Sequence, residues 1–322
     1  MVSDIAGVRV GHWTDAEAGT GCTVVLVPEG TVGAMEARGG GPATRDVEVL
    51  SPVASVSAVT ALLLSGGSAF GLDAASGVVR WCEEHGLGHD TGSARVPIVP
   101  TACIYDLGIS GNRRRPGREE GYAACEAARP GPHAVGSVGA GTGATVGKLM
   151  AQAGWCKGGL GAASRRLHDG ATVAALAVVN AWGDVLDESG AVLAGAFDAS
   201  RGGFVRASER VIDSPPTHPR LIAPSNTTLA CVVTDGRLTK VEAAAVARMA
   251  HAGMARAVSP VHTPLDGDVA FCLATGTQPT TAFACGVAAA EAVSEAIRDA
   301  VRSATEVRGV LPGPQRALSA PG

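Results

Sequence analysis

The chain has 322 residues, enough for one large domain or two ordinary ones, and either arrangement could bury a substantial core. A formal net charge of -4, a pI near 6.1 and the absence of any basic run longer than Arg113-Arg-Arg115 argue against a nucleic-acid partner. Aromatic residues make up only 3%, too few for base-stacking platforms. The eight cysteines (22, 82, 103, 125, 156, 231, 272 and 285) stand singly, in apolar company and without metal-ligand spacing, and read as small buried hydrophobes. The N-terminus lacks the basic and apolar regions of a signal peptide, and no apolar run reaches 18 residues. A reduced, soluble, cytoplasmic protein with no membrane partner is expected.

Taken in chain order, Val8-Arg-Val10 and Thr23-Val-Val-Leu-Val27 read as early strands, followed by a glycine-rich turn at Arg38-Gly-Gly-Gly-Pro42. From Ala69 to His85 the spacing is helical, offering Phe70, Leu72, Val78, Val79 and Cys82 for burial, with Gly86 as the stop. Val96 to Pro100 is extended, and Ala102-Cys-Ile-Tyr105 leads to Asp106. The apolar run from Ala171 to Val179, ending at Asn180, suits a strand buried on both faces. Thr239 and Glu242 form a capping box for an alanine-rich helix to about Ala257. Asp266-Gly-Asp268 is a turn feeding a strand from Val269 to Ala274, and Ala282 to about Ser303 is a final helix. No repeat or low-complexity linker divides the chain.

One junction stands apart. Val211 to Arg220 is broken by proline and is not expected to form a helix or a central strand; with Leu221 to Ser225 it reads as an exposed loop, its part from Pro215 being the best candidate boundary. Thr227 to Gly236 is β-branched and apolar and reads as a buried strand whose two sides share one core. A hydroxyl therefore sits where a loop enters a strand. Cutting the Asn226-Thr227 bond would give Thr227 a free α-amine beside its hydroxyl, an activated nucleophile. The same tripeptide, Asn226-Thr227-Thr228, is a glycosylation acceptor, which matters only in a secretory compartment.

Other signals are weaker. The segment Gly139 to Lys148 lacks Walker A spacing, since Thr142 occupies a glycine position and Leu149 follows the lysine; it matches a dinucleotide fingerprint only as GxGxxA without a clear preceding strand. A glycine-rich loop approaching a substrate, with Lys148 at its end, is the better reading. The eight histidines contain no HExxH, Gly86 and Gly88 separate His85 from His89, and zinc is not expected. No GxSxG elbow occurs.

Seven short motifs nevertheless occur in order: Gly7-Val-Arg-Val-Gly-His12, Gly66-Gly-Ser-Ala-Phe-Gly-Leu72, Ala102-Cys-Ile-Tyr-Asp106, Gly139-Ala-Gly141 through Gly147-Lys148, Gly158-Gly-Leu-Gly161, Asn226-Thr-Thr228 and His262-Thr-Pro-Leu-Asp-Gly-Asp268. Together they span nearly the whole chain and resemble the self-processing family of L-aminopeptidase/D-esterases, β-peptidyl aminopeptidases and nylon-oligomer hydrolases. The resemblance implies an α/β fold of the N-terminal-nucleophile-hydrolase kind, an αββα sandwich of two stacked sheets flanked by helices. It also implies one catalytic domain over 1–322 that cuts itself between Asn226 and Thr227 into chains 1–226 and 227–322, which stay intertwined. No metal or organic cofactor is implied. A homo-oligomer, commonly a tetramer, acting on short peptides, amides or esters is.

Carried over by position, Thr227 matches the nucleophile, Tyr105 an active-site tyrosine, Lys148 the site lysine, Asn180 the amide ending a core strand, and Asp266 and Asp268 the paired acids. Asp-Gly-Asp is closer to the nylon-oligomer branch than the Ser-x-Glu of some peptidases. Asn180 could donate to an oxyanion or be a buried amide satisfied by backbone. Tyr105 could donate to the oxyanion or be a core ring, and Lys148 could stabilise negative charge or be a solvated ammonium. Asp266 and Asp268 could orient the threonine or merely make a turn, and Gly66, Gly67 and Ser68 could line a substrate pocket or a helix entry. The expected activity is that of an aminopeptidase or amidohydrolase with an acyl-enzyme on Thr227. The alternatives are an acyltransferase resembling the ornithine acetyltransferases, and an uncut protein that only binds.

Overall fold

Two five-stranded sheets stack face to face in the computed structural model, which describes residues 1–110, 114–214 and 226–318. The first sheet contains β1 (Arg9–Asp15), β2 (Thr20–Leu26), β4 (Ala43–Arg45), β5 (Ala61–Ser65) and β6 (Thr101–Cys103), in the order β1-β2-β5-β6-β4. The second contains β3 (Val32–Ala37), β7 (Gly159–Arg166), β8 (Thr172–Asn180), β9 (Thr227–Gly236) and β10 (Val269–Gln278), in the order β7-β8-β9-β10-β3. Each sheet has one parallel pair, β5 with β6 and β9 with β10, among antiparallel neighbours.

Alternation along the strands sorts the side chains into layers. Leu229, Cys231 and Val233 of β9 face the first sheet and pack with Val25, Leu62 and Leu64, while Ala230 and Val232 face the helices. Those helices are α3 (Lys240–Ala257) and α4 (Ala282–Arg302), which follow the parallel strands β9 and β10. Both are lined with alanine, and two glycines let them approach closely: a Cβ on Gly253 would lie 2.3 Å from the Ala290 carbonyl oxygen, and one on Gly286 2.2 Å from the Met249 sulfur. On the other side α1 (Ala74–Glu84) and α2 (Arg118–Glu126) cover Cys22, Val24, Leu26, Ala61 and Leu63. The order helices, sheet, sheet, helices is the expected αββα sandwich.

The strand from Thr227 to Gly236, the strand ending at Asn180 and the helix capped by Thr239 and Glu242 form as the sequence predicts. All eight cysteines are buried and free. Among the described residues no helix is long and apolar enough to cross a membrane. Two expectations are corrected. The helical spacing from Ala69 resolves into a 3-10 turn, Ser68–Asp73, before α1 begins at Ala74, and Phe70 is 58% exposed beneath the Arg115 guanidinium rather than buried. The proline-broken segment begins with helix, because Ala207–Asp213 is helical through Val211; the prolines fall after it and stop it. The rest of the expected loop, 215–225, lies outside the described residues.

Phe271 is wholly buried between the sheets, so Phe271→Ala is expected to cost about 3–5 kcal/mol of unfolding free energy. Urea denaturation measures it, and a loss below about 1 kcal/mol would place the ring outside the packed core.

Candidate active site

Thr227 is the first residue of β9, a strand buried on both faces, and it pairs across the ladder with Asn180, the last residue of β8. Both lie at the end of the second sheet where β6 of the first sheet gives way to Tyr105. The Asn180 amide joins the two sheets there, its Nδ2 donating to the Tyr105 carbonyl oxygen at 3.0 Å. Its Oδ1 accepts from the Thr145 N–H at 3.0 Å and from Lys148 Nζ at 2.8 Å, and Lys148 reaches the Asn180 carbonyl oxygen at 3.3 Å. Of the two readings of Asn180, the fully satisfied buried amide describes its contacts in the intact chain.

Lys148 is not a solvated ammonium. It is 5% exposed, and burial pulls its pKa down from 10.5 to about 7, against the opposing pull of Asp266 and Asp106. The Trp155 ring lies 5.8 Å from its Nζ. Tyr105, Lys148, Thr145 and Trp155 help line a cavity of about 20 Å³, room for one water. Tyr105 is half-exposed at its wall and is not a core ring. Two larger clefts, of about 300 and 500 Å³, share no residue with this cluster.

Asn226 and Thr227, which flank the candidate scissile bond, are both buried. The Thr227 hydroxyl donates to the Asn226 carbonyl oxygen at 2.5 Å, so the candidate nucleophile and the candidate scissile carbonyl are in contact. That oxygen also accepts from the Gly267 N–H at 2.7 Å. The turn around Gly267 is held by its acids. Asp266 accepts from the Trp182 N–H at 3.2 Å, the Thr263 N–H at 3.1 Å and the Thr263 hydroxyl. Asp268 accepts from the Thr228 N–H at 2.7 Å, the His262 N–H at 3.0 Å and His262 Nδ1 at 2.8 Å. Burial first, and the Asp268 charge second, raise the pKa of Asp266. The pair thus fixes backbone around Thr227.

Gly66, Gly67 and Ser68 serve a different neighbour. Asp106, buried beside Tyr105, accepts from the Gly67 N–H at 2.8 Å and the Thr20 hydroxyl at 2.6 Å, and a Cβ on Gly66 would lie 2.0 Å from its Oδ2. Ser68 donates its N–H to the Ile104 carbonyl oxygen at 2.9 Å. Gly66 and Gly67 enclose the Asp106 carboxylate and Ser68 is tied to Ile104, all at the Tyr105 corner.

Two participants, Lys157 and His251, carried no recognisable signal of their own, and His262 was legible only as the first residue of the His262-to-Asp268 motif. Lys157 is wholly buried and donates to the carbonyl oxygens of Gly141, Ala144 and Gly158 at 2.9, 2.7 and 3.3 Å, tying down the loop that ends at Lys148. His262, with a left-handed φ of 55°, anchors Asp268, and the His251 ring packs edge-on to it at 4.7 Å. Burial lowers the pKa of His251 to about 4. Among the described residues no cluster of histidine, cysteine and acids could hold a metal ion.

Comparison with known proteins identifies the family and the fold. The model of the family described as "Peptidase family S58" matches residues 1–312. An uncharacterized aminopeptidase of Mycobacterium tuberculosis is 44% identical over 288 residues, covering 85% of this chain and 81% of its own. The 6-aminohexanoate-oligomer endohydrolase of Paenarthrobacter ureafaciens is 34% identical over 287 residues, covering 86% and 76%. Among solved structures, a Burkholderia sp. beta-aminopeptidase superposes with a TM-score of 0.71 at 23% identity, over 99% of this chain and 92% of that one. The L-aminopeptidase D-Ala-esterase/amidase of Ochrobactrum anthropi, described as a variant of the Ntn hydrolase fold, gives 0.69 at 19% identity, over 94% and 86%.

Lys157 yields a pH prediction. Burial lowers its native pKa from 10.5 to about 7, with Asp106 opposing. Between those values the unfolded chain holds a proton that the native state lacks, so stability rises with pH; below about 7 the cost of the buried ammonium is fully present. The stability of the wild type relative to Lys157→Met is therefore expected to increase between about pH 7 and pH 9, as melting temperatures at each pH would show. A difference constant with pH would mean that the lysine keeps its proton throughout.

Proposed function

Because the chain belongs to peptidase family S58 and is a hydrolase of the aminopeptidase and amidase type, we propose that it activates itself by cutting Asn226-Thr227 and then works through the N-terminal threonine so formed. The observation that carries this reading is the buried Thr227 hydroxyl, 2.5 Å from the carbonyl oxygen of its own preceding residue. The carbonyl carbon lies one bond of about 1.2 Å beyond that oxygen.

In processing, the hydroxyl loses its proton and its oxygen bonds to the Asn226 carbon. The Asn226-Thr227 C–N bond then breaks and the Thr227 nitrogen takes up a proton. Water hydrolyses the resulting ester, leaving a carboxylate on Asn226 and a free hydroxyl and α-amine on Thr227. In turnover the amine, whose ordinary pKa lies near 8, takes the hydroxyl proton while the hydroxyl attacks a substrate carbonyl. The departing amine or alcohol is protonated and water releases the acyl group. Before the cut no α-amine exists, and Lys148, with a pKa of about 7, is the group of this cluster able to take a proton near neutrality. Asp266 and Asp268 hold the backbone, Asn180 places Lys148, and Tyr105 borders the entry.

Short peptides, amides or esters are the substrates this reading favours, in keeping with the aminopeptidase and oligomer-hydrolase names of the relatives. A homo-oligomer, with a tetramer as its expected form, is part of the same proposal and is measured by light scattering. Water as acceptor is preferred over an amine because the named relatives are hydrolases.

Intact mass with N-terminal sequencing is expected to give two fragments, 1–226 and 227–322, the second beginning Thr-Thr-Leu-Ala. Thr227→Ala is expected to stay as one chain and to lose hydrolytic activity on the order of 10³-fold or more. A persistently single wild-type chain with full activity would overturn the activation step. The processing rate of the wild type is expected to rise with pH through about 7 as Lys148 loses its proton, and Lys148→Met to process slowly and without that inflection. An unchanged inflection in the variant would assign the titration to another group.

A further inference from the structure

The carbonyl oxygen of Asn226 is the atom on which negative charge would gather during self-processing, so the donors aimed at it matter more than any others in the site. Asn180 is the obvious candidate by residue type, yet its Nδ2 donates to the Tyr105 carbonyl oxygen and its Oδ1 faces Lys148 and Thr145. The N–H that does reach the Asn226 oxygen is that of Gly267, at 2.7 Å.

Its surroundings hold that peptide unit still. On one side the Asp266 carboxylate takes N–H groups from Trp182 and Thr263, and the Asp266 carbonyl oxygen accepts from the Gly41 N–H at 2.9 Å. On the other, the Asp268 carbonyl oxygen accepts from the N–H groups of Arg38 and Gly39 at 3.0 and 3.3 Å. A donor fixed from both flanks needs no reorganisation when charge appears, which is where an oxyanion donor gains its effect. The glycine itself has a second use. Gly267 is not among the residues with positive φ, so its backbone suits any L residue; what forbids a side chain is space. A Cβ there would lie 2.8 Å from Thr227 Oγ1 and 2.7 Å from the Gly41 carbonyl oxygen.

We infer that Gly267 is a catalytic residue: its N–H is the oxyanion donor for the attack of Thr227 on Asn226, and its bare Cα leaves the room in which the nucleophile sits. The inference rests on the self-processing reading above. As the Thr227 Oγ1–C bond forms, the hydroxyl proton passes to a base of the site and the carbonyl π pair moves onto the Asn226 oxygen, where the Gly267 N–H meets it. When the pair returns, the C–N bond breaks and the Thr227 nitrogen is protonated. An acyl group delivered later by a substrate is attached to the same Oγ1 and presents its carbonyl oxygen to the same N–H. The role of the glycine between the two acids is thus chemical as well as a matter of turning the chain.

The test replaces Gly267 by glycolate through nonsense suppression, which exchanges the N–H for an ester oxygen without adding bulk, and compares it with Gly267→Ala, which keeps the N–H and adds a methyl. Processing is followed by intact mass, which separates cleavage at 226/227 from hydrolysis of the introduced ester at 266/267. The glycolate variant is expected to process on the order of 100-fold more slowly than wild type, and Gly267→Ala at least about tenfold more slowly, a 1.4 kcal/mol penalty. Melting temperatures of both are read against uncut Thr227→Ala. If the wild type is not cut at 226/227, the self-processing reading fails. If the wild type is cut and the glycolate variant is cut at the same rate, the donor assignment alone is overturned. Native-rate processing of Gly267→Ala would overturn the spatial role and, should the glycolate chain not fold, the assignment with it.

Discussion

Everything in this site depends on where β9 begins. Thr227 opens a strand paired on both sides, antiparallel to β8 and parallel to β10, and buried on both faces. A nucleophile carried on a mobile loop must be ordered before it can react. One that starts a central strand is ordered by the same hydrogen bonds and apolar contacts that make the sheet. The price is that the bond before it is buried too, and neighbours meet most of the polar groups there, although the Asn226 side-chain oxygen and the Thr228 hydroxyl find no partner among the described residues. The Asn226 carbonyl oxygen takes the Gly267 N–H, the Asn226 amide reaches the Leu265 carbonyl oxygen at 3.1 Å, and the Thr228 N–H finds Asp268.

Two different devices hold the charges near this strand. The acids are each met by several donors from one short stretch, so that the 262–268 segment is knotted around its own carboxylates. The lysines are met by oxygen atoms of amides: Lys157 by three carbonyls, Lys148 by Asn180. An ammonium paired with a carboxylate keeps its proton to high pH, whereas one that is buried and met by neutral dipoles can lose it near neutrality. Burial, which outweighs the opposing pull of Asp266 and Asp106, is what gives Lys148 chemistry to offer near neutral pH.

Much of the fold could be read because local and global signals agree. Thr239 and Glu242 cap α3 as their spacing requires, and the apolar run ending at Asn180 is a doubly buried strand. Where they fail, the reasons differ. Phe70 has helical spacing but lies in a 3-10 turn under Arg115, and the prolines after Val211 end a helix instead of preventing one. In the site, the juxtaposition of Asn180, Lys148 and Thr227 followed from resemblance, and no rule of spacing would have found it. Lys157 carried no signal, because nothing local says that the carbonyls of Gly141 and Ala144, in the preceding glycine-rich loop, converge on it. Gly267 looked like a turn glycine, because its contact is with a residue 41 positions away on the other side of α3.

The order of the second sheet has a consequence for the assembled enzyme. Its sequence of strands is β7-β8-β9-β10-β3, and a cut before Thr227 would divide these between two polypeptides, with β9 and β10 on the shorter one. The shorter polypeptide would then hold the interior of the sheet while the longer one supplies both flanks, β8 on one side and β3 on the other, as well as the backbone strap of Arg38 to Gly41 against the 266–268 turn. Such a fragment has no free edge along which to slide out or in. Two such polypeptides could reach this arrangement readily only by folding as one, so if the chain is cut there, the topology would require folding to finish before the cut, and a cut protein once unravelled would have lost the connection that made its assembly simple.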